Sequence, residues 1–149
     1  MTSLYSLMQN EESVLTRLYS QSLTQLEIVR GGDTARLIEF LARKQQTVAE
    51  FEELQQQLAP HRNILPEQRK WKNENERKQT EELISRCGEL LKMIVENDTA
   101  STGELSSQKD EVEKQLNRIQ QNVQVNLTYA KQAAPLKPAE KVRHFDMSK

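Results

Sequence analysis

The stretch GGDTARLIEFLARKQQTVAEFEELQQQLAP, residues 31–60, decides the fold class. Two glycines and Asp33 open it and Pro60 closes it, so that helix-breaking residues stand only at its ends. Between them, apolar side chains recur every three, four or seven residues, which is the spacing of one face of an α-helix. These apolar positions are Leu37, Leu41, Val48, Phe51, Leu54 and Leu58, with Lys44 interrupting the row. We therefore predict a helix from about Thr34 to Ala59 that follows a break at Gly31–Gly32 and is capped by Asp33.

A second amphipathic pattern precedes this stretch and predicts a helix from Ser3 to Val29. Its apolar residues fall on one stripe: Leu4, Leu7, Met8, Leu15, Leu18, Tyr19, Leu26 and Val29. Arg30 suits the negative end of the helix dipole. Two long helices joined by so short a break are typical of an antiparallel helical hairpin, which we expect Pro60–Pro66 to end.

Two further helical patterns follow the prolines. The third helix begins within Glu67–Asn75 and carries an apolar stripe: Leu83, Ile84, Cys87, Leu90, Leu91, Ile94 and Val95. The segment NDTASTG, residues 97–103, is poor in helix-forming residues and predicts a break or bend, with one continuous helix as the alternative. A fourth helix is predicted from Glu104 to about Gln132, and its apolar residues follow seven-residue spacing closely.

The predicted fold is therefore all-α. We expect an elongated antiparallel bundle of three to four long amphipathic helices, more than about 70% helix and no sheet, because no segment alternates in the strand pattern. Residues 1–134 should form a single bundle domain, and residues 135–149 an extended, mobile tail. The core should include Leu18, Leu41, Phe51, Leu90 and Ile94.

Composition excludes several classes of protein. Among 149 residues, 21 are Lys or Arg and 22 are Asp or Glu, a balance that argues against a dedicated nucleic-acid-binding protein. One cysteine cannot form an internal disulfide, which favours a reducing compartment. We find no apolar run that could cross a membrane and no secretory signal, so we expect a cytoplasmic protein without membrane insertion.

The residues needed for catalysis or metal binding are sparse. His61 falls in the proline-bounded break and His144 in the tail, and neither is spaced from another ligand as a metal site requires. Cys87 lies on an apolar stripe, where a buried, inert thiol is the expected state. The sequence therefore predicts no enzyme, no cofactor and no metal.

A basic cluster surrounds the single tryptophan of the chain, Trp71. Its cationic members are Arg62, Arg69, Lys70, Lys72, Arg77 and Lys78. Two interpretations stand: a docking patch for an acidic or aromatic partner, or a solvated helix start with Trp71 folded onto its neighbours. Composition and spacing favour the second.

The order of these features resembles the FlgN-like flagellar export chaperones of bacteria. The resemblance rests on the opening helix (Glu11–Val29), on Gly31–Leu54, and on the closing helix (Glu104–Ala130) with Tyr129 near its end. In the second stretch Gly32 and Asp33 precede a leucine-rich helix centred on a lysine. The resemblance implies a small all-helical chaperone that holds hook-associated (hook–filament junction) proteins before their export through the flagellar type III apparatus.

The closing helix is the predicted binding site for such a partner. The resemblance implies that its aliphatic residues contact the terminal helices of the client and that Tyr129 adjoins the export-gate components. The candidate residues are Val112, Leu116, Ile119, Val123, Leu127 and Tyr129. The alternative is that these side chains fill the bundle interior and that Tyr129 is a frayed helix end.

A second hypothesis for the whole chain is a non-enzymatic coiled-coil adaptor or structural protein that self-associates through its apolar stripes. A chaperone should be a monomer or a weak dimer, whereas an adaptor should form a tight oligomer by itself.

Overall fold

The computed structural model describes residues 2–133, and their side chains as far as Asn122. Within that range the chain forms three α-helices, α1 (Leu4–Gly31), α2 (Thr34–Arg62) and α3 (Glu74–Ala133), and a short 3-10 helix at Pro66–Gln68. The same residues contain no strand, so the all-α prediction is confirmed. The predicted tail, residues 135–149, lies outside the described residues.

The first two helices form the predicted antiparallel hairpin. Gly32 adopts the left-handed conformation (φ 73°) and donates its backbone N–H to the carbonyl of Val29 at 3.0 Å, which ends α1. Asp33 then caps α2, because its Oδ1 accepts the backbone N–H of Arg36 at 3.0 Å. Both sequence predictions at this turn are confirmed.

The connection from α2 to α3 differs slightly from the prediction. Helix α2 runs through Pro60 to Arg62 instead of stopping at Ala59, because a proline so close to the end removes only one of the last hydrogen bonds. Helix α3 is capped by Asn73, whose Oδ1 accepts the N–H of Glu76 at 2.8 Å. Glu76 in turn accepts the N–H of Lys72 at 2.6 Å, in the manner of a capping box.

The predicted break at residues 97–103 is wrong, since α3 continues through the segment without interruption. At its start, two polar side chains are held by the other helices. Asn97 Nδ2 donates to Ser22 Oγ at 2.9 Å, and Asp98 accepts from Lys44 Nζ at 3.1 Å. These contacts outweigh the weak helix propensity of the segment. The predicted third and fourth helices are therefore one helix in the described chain.

The chain divides into two compact units, Met1–Glu104 and Leu105–Lys149. The first unit contains a core to which α1, α2 and α3 all contribute. The buried members of its main cluster are Leu7, Met8, Val14, Leu15, Leu18, Leu54, Leu58, Leu83, Cys87 and Ile94. A smaller cluster at the hairpin turn joins Ile28, Val29 and Leu37.

The core prediction is confirmed for two of its five residues and in part for two more. Leu18 and Ile94 are buried, and Phe51 and Leu90 are half-buried against the same cluster. Leu41 is 40% exposed, so its assignment to the core is wrong. Three residues further along α2, the Lys44 side chain is only 11% exposed, so at this level of the helix the packing covers Lys44 more completely than Leu41.

Candidate functional site

The second unit carries the apolar surface that the sequence analysis singled out. Leu105, Val112 and Ile119 lie seven residues apart on α3 and are 40%, 42% and 57% exposed. Leu116 lies between the last two on the same face and is half-buried. We call these four residues the α3 stripe.

The α3 stripe has no core of its own. Among residues 105–122, whose side chains the structure describes, none is buried. An amphipathic helix draws most of its stability from packing its apolar face, so an uncovered stripe is a surface suited to another helix.

The six predicted site residues therefore divide into two groups. Val112, Leu116 and Ile119 lie together on one face of α3, where the exposure of Val112 and Ile119 places them at the surface. The backbone of Val123, Leu127 and Tyr129 belongs to α3 as well, but their side chains lie outside the described residues. Leu105 was not among the predicted residues, although the same seven-residue spacing could have identified it.

Charged and polar residues flank the α3 stripe. Lys109 and Glu113 form an ion pair across one helical turn at 3.9 Å, and both remain substantially exposed. Such exposed pairs contribute little to the stability of a helix, roughly 0.3–0.5 kcal/mol each. The apolar side chains of the α3 stripe are therefore the main feature of this face that a partner could recognise.

The groups considered for catalysis have structural explanations. Burial and, to a smaller extent, the nearby carboxylates of Glu11 and Glu12 together raise the pKa of the Cys87 thiol to about 12. The thiol is therefore protonated and unreactive near neutral pH. The Nε2 of His61 lies 3.0 Å from the carbonyl oxygen of Thr2, where it ties the end of α2 to the start of the chain. His144 lies outside the described residues.

Part of the basic cluster, Arg69 and Lys70, lines a pocket in the first unit. It has a volume of about 290 Å³ and lies where the start of α1 meets the segment between α2 and α3, with Trp71 in its wall. The sequence pattern indicates Trp71 and its basic neighbours, but not that Leu4 and Tyr5 line the same pocket. No periodicity signals that contact, because it joins residues more than sixty positions apart.

Comparison of the chain with protein-family models, with curated proteins and with solved structures gives no match. Among the described residues, no helix contains a stretch that is long and apolar enough to cross a bilayer.

Proposed function

We propose that this protein is a cytoplasmic, non-catalytic export chaperone of the FlgN-like kind. It binds the amphipathic terminal helices of flagellar hook-associated proteins and delivers them to the type III export apparatus. The resemblance of Gly31–Leu54 and of the closing helix to that family supplies the role. The observation that supports it in the structure is the uncovered α3 stripe.

The physical logic starts from the client. Terminal helices that coil together in a filament expose apolar faces beforehand, and these faces self-associate unless another surface covers them. A helix that presents Leu105, Val112, Leu116 and Ile119 along one side can cover such a face by helix-to-helix packing. The surface is narrow, and a few apolar anchors dominate its affinity, which suits a complex that must dissociate at the export gate.

The remaining predicted residues extend the proposal toward the end of α3. Val123 lies seven residues after Leu116, Leu127 lies four residues after Val123, and Tyr129 follows. We assign the two aliphatic residues to client binding and Tyr129 to the adjoining contact with the export gate, because a tyrosine combines a rigid apolar ring with a polar tip.

The test measures binding of a synthetic peptide that spans the terminal helix of a hook-associated protein from the same genome. Ile119→Ser should weaken binding roughly tenfold, since the loss of about 1–2 kcal/mol of apolar contact corresponds to that factor. The matched control is Val95→Ser, which removes an aliphatic side chain of similar exposure (60%) from α3 within the first unit. It should leave the affinity unchanged.

Thermal melting of each variant separates contact from folding. An Ile119→Ser protein that melts like the wild type and binds weakly supports the proposal. If both Ile119→Ser and Val95→Ser bind the peptide as the wild type does, the α3 stripe is not the client site. If Tyr129→Ala leaves both client binding and secretion intact, the assignment of Tyr129 fails.

A further inference from the structure

The Trp71 pocket combines an apolar interior with a cationic edge. Leu4 and Tyr5 from the start of α1 face Ile64 and Trp71 from the segment that joins α2 to α3. Ile64 and the adjacent Leu65 remain exposed, although apolar residues in a connecting loop gain nothing from contact with water. The pocket is therefore an apolar recess that the chain leaves open.

The cationic edge consists of Arg69 and Lys70, which also line the pocket. Within the described residues neither has a carboxylate partner. Arg69 Nη2 donates only to the carbonyl of His61 at 3.4 Å, and its Nε is buried without a hydrogen-bond acceptor. A buried N–H of a cationic group without an acceptor is costly, so this position favours an incoming anion.

Among the other cations of the basic cluster, Arg77 is already engaged with carboxylates. Arg77 pairs with Glu74 and with Glu81, and the hydrogen bond from Arg77 holds the pKa of Glu74 below its ordinary value. Glu76 lines the pocket too, but its carboxylate accepts the backbone N–H of Lys72. Arg69 and Lys70 bring two positive charges to the pocket lining against the one carboxylate of Glu76, so the charge of its edge is positive on balance.

We propose that the Trp71 pocket binds an acidic peptide segment of a partner protein that carries one apolar side chain. The apolar side chain enters between Tyr5, Ile64 and Trp71. The neighbouring carboxylates pair with Arg69 and Lys70. This site lies within the first unit and is separate in sequence from the α3 stripe.

Size and charge pattern select this class of ligand. A volume of about 290 Å³ lies at the lower limit of pockets that enclose small molecules, roughly 300–1,000 Å³, and suits an inserted side chain better than a whole cofactor. A nucleic acid requires an extended cationic track. Here Glu67, Glu74 and Glu76 interrupt the basic residues, which suits a short acidic segment instead.

The test uses the full-length protein and a blocked peptide of alternating aspartate and leucine. Trp71 is the only tryptophan, so its fluorescence reports directly on the pocket. The peptide should shift the Trp71 emission to shorter wavelength and saturate. Peptides with lysine in place of aspartate, or serine in place of leucine, should produce no saturable shift.

Charge-removing variants locate the contact. Arg69→Gln/Lys70→Gln should lower the affinity for the peptide at least about tenfold, as expected for the loss of two charge-assisted contacts. Lys70→Gln alone should weaken it by a smaller factor, and it tests the site even if the double variant unfolds, because Lys70 is exposed. The matched control, Arg36→Gln/Lys92→Gln, removes two exposed charges elsewhere in the first unit and should bind like the wild type.

Several results would overturn this assignment. If the wild type and both pocket variants bound the peptide equally well, Arg69 and Lys70 would not belong to the site. If the aspartate–serine peptide bound as well as the aspartate–leucine peptide, the apolar recess would not belong to it. Loss of the response in Ile119→Ser would move binding to the α3 stripe. A shift with anionic phospholipid vesicles but not with the acidic peptide would assign the pocket to a membrane surface.

Discussion

Lys44 is the residue at which the first unit combines polar and apolar packing. Its side chain is only 11% exposed, yet it stands in the middle of the apolar stripe of α2. The ammonium donates to Gln25 Oε1 at 2.7 Å and to Asp98 Oδ1 at 3.1 Å, so it contacts both α1 and α3. A nearly buried charge is tolerated because these two acceptors replace water.

Replacing Asp98 should lower the free energy of unfolding more than replacing Lys44 does. Asp98→Ser leaves the nearly buried ammonium of Lys44 without its counterion, and we expect a loss of about 1–2 kcal/mol, since Asp98 itself is partly exposed. Lys44→Met keeps the apolar stem and leaves Asp98 hydrated, so it should cost less than about 1 kcal/mol. Urea unfolding measures both, and a larger loss for Lys44→Met than for Asp98→Ser would contradict this explanation.

Cys87 predicts a dependence of stability on alkaline pH. Burial raises its folded-state pKa from about 9 to about 12, so the thiolate forms more readily in the unfolded chain. The stabilisation is thus fully present below about pH 9 and is lost as the pH rises toward 12. The free energy of unfolding of the wild type should fall relative to that of Cys87→Ala over this range. If the free energies of unfolding of the wild type and of Cys87→Ala changed in parallel with pH, the thiol would not be buried as described.

At the scale of elements, the two glycines of the hairpin turn have different roles. Gly32 has a positive φ of 73°, whereas Gly31 is the last residue of α1, and a Cβ at either position would meet no atom within 4 Å. Gly32→Ala should therefore destabilise the protein by about 1 kcal/mol through backbone strain alone. Gly31→Ala, the matched control, should be neutral or slightly stabilising because alanine favours helix. Equal melting temperatures for the two variants would refute this distinction.

The helices themselves could be predicted from sequence because their boundaries depend on local chemistry. Gly32 and Asp33 determine the turn through their own backbone and side-chain preferences. The continuity of α3 could not be predicted in this way. Asn97 and Asp98 are poor helix formers, and their contacts with Ser22 and Lys44, which are distant in sequence, favour the continuous helix.

The candidate sites were predictable to different degrees for the same reason. The α3 stripe is visible as spacing along one helix, so Val112, Leu116 and Ile119 could be grouped on one face before the structure was known. The Trp71 pocket depends on Leu4 and Tyr5 meeting Trp71, and that contact requires the tertiary fold. Leu41 was predicted wrongly, because its spacing placed it on the core side of α2 whereas the packing leaves it exposed.

At the scale of the whole molecule, the two units differ in what they bury. The first unit has a core of its own, with Leu15 fully buried. The described part of the second unit, residues 105–122, buries no residue and presents the α3 stripe instead. This division of roles is what the proposed function requires: one unit holds the fold, and the other leaves an apolar face available for a partner.

Sedimentation equilibrium over a wide concentration range, with and without the terminal-helix peptide of a hook-associated protein, tests this account most directly. An uncovered stripe reserved for a client predicts a monomer or a weak dimer alone and a one-to-one complex with the peptide. Ile119→Ser should weaken that complex roughly tenfold, and Val95→Ser should leave its affinity unchanged. A tight oligomer of the chain alone, dispersed by Ile119→Ser and indifferent to the peptide, would contradict the chaperone proposal and assign the α3 stripe to self-association.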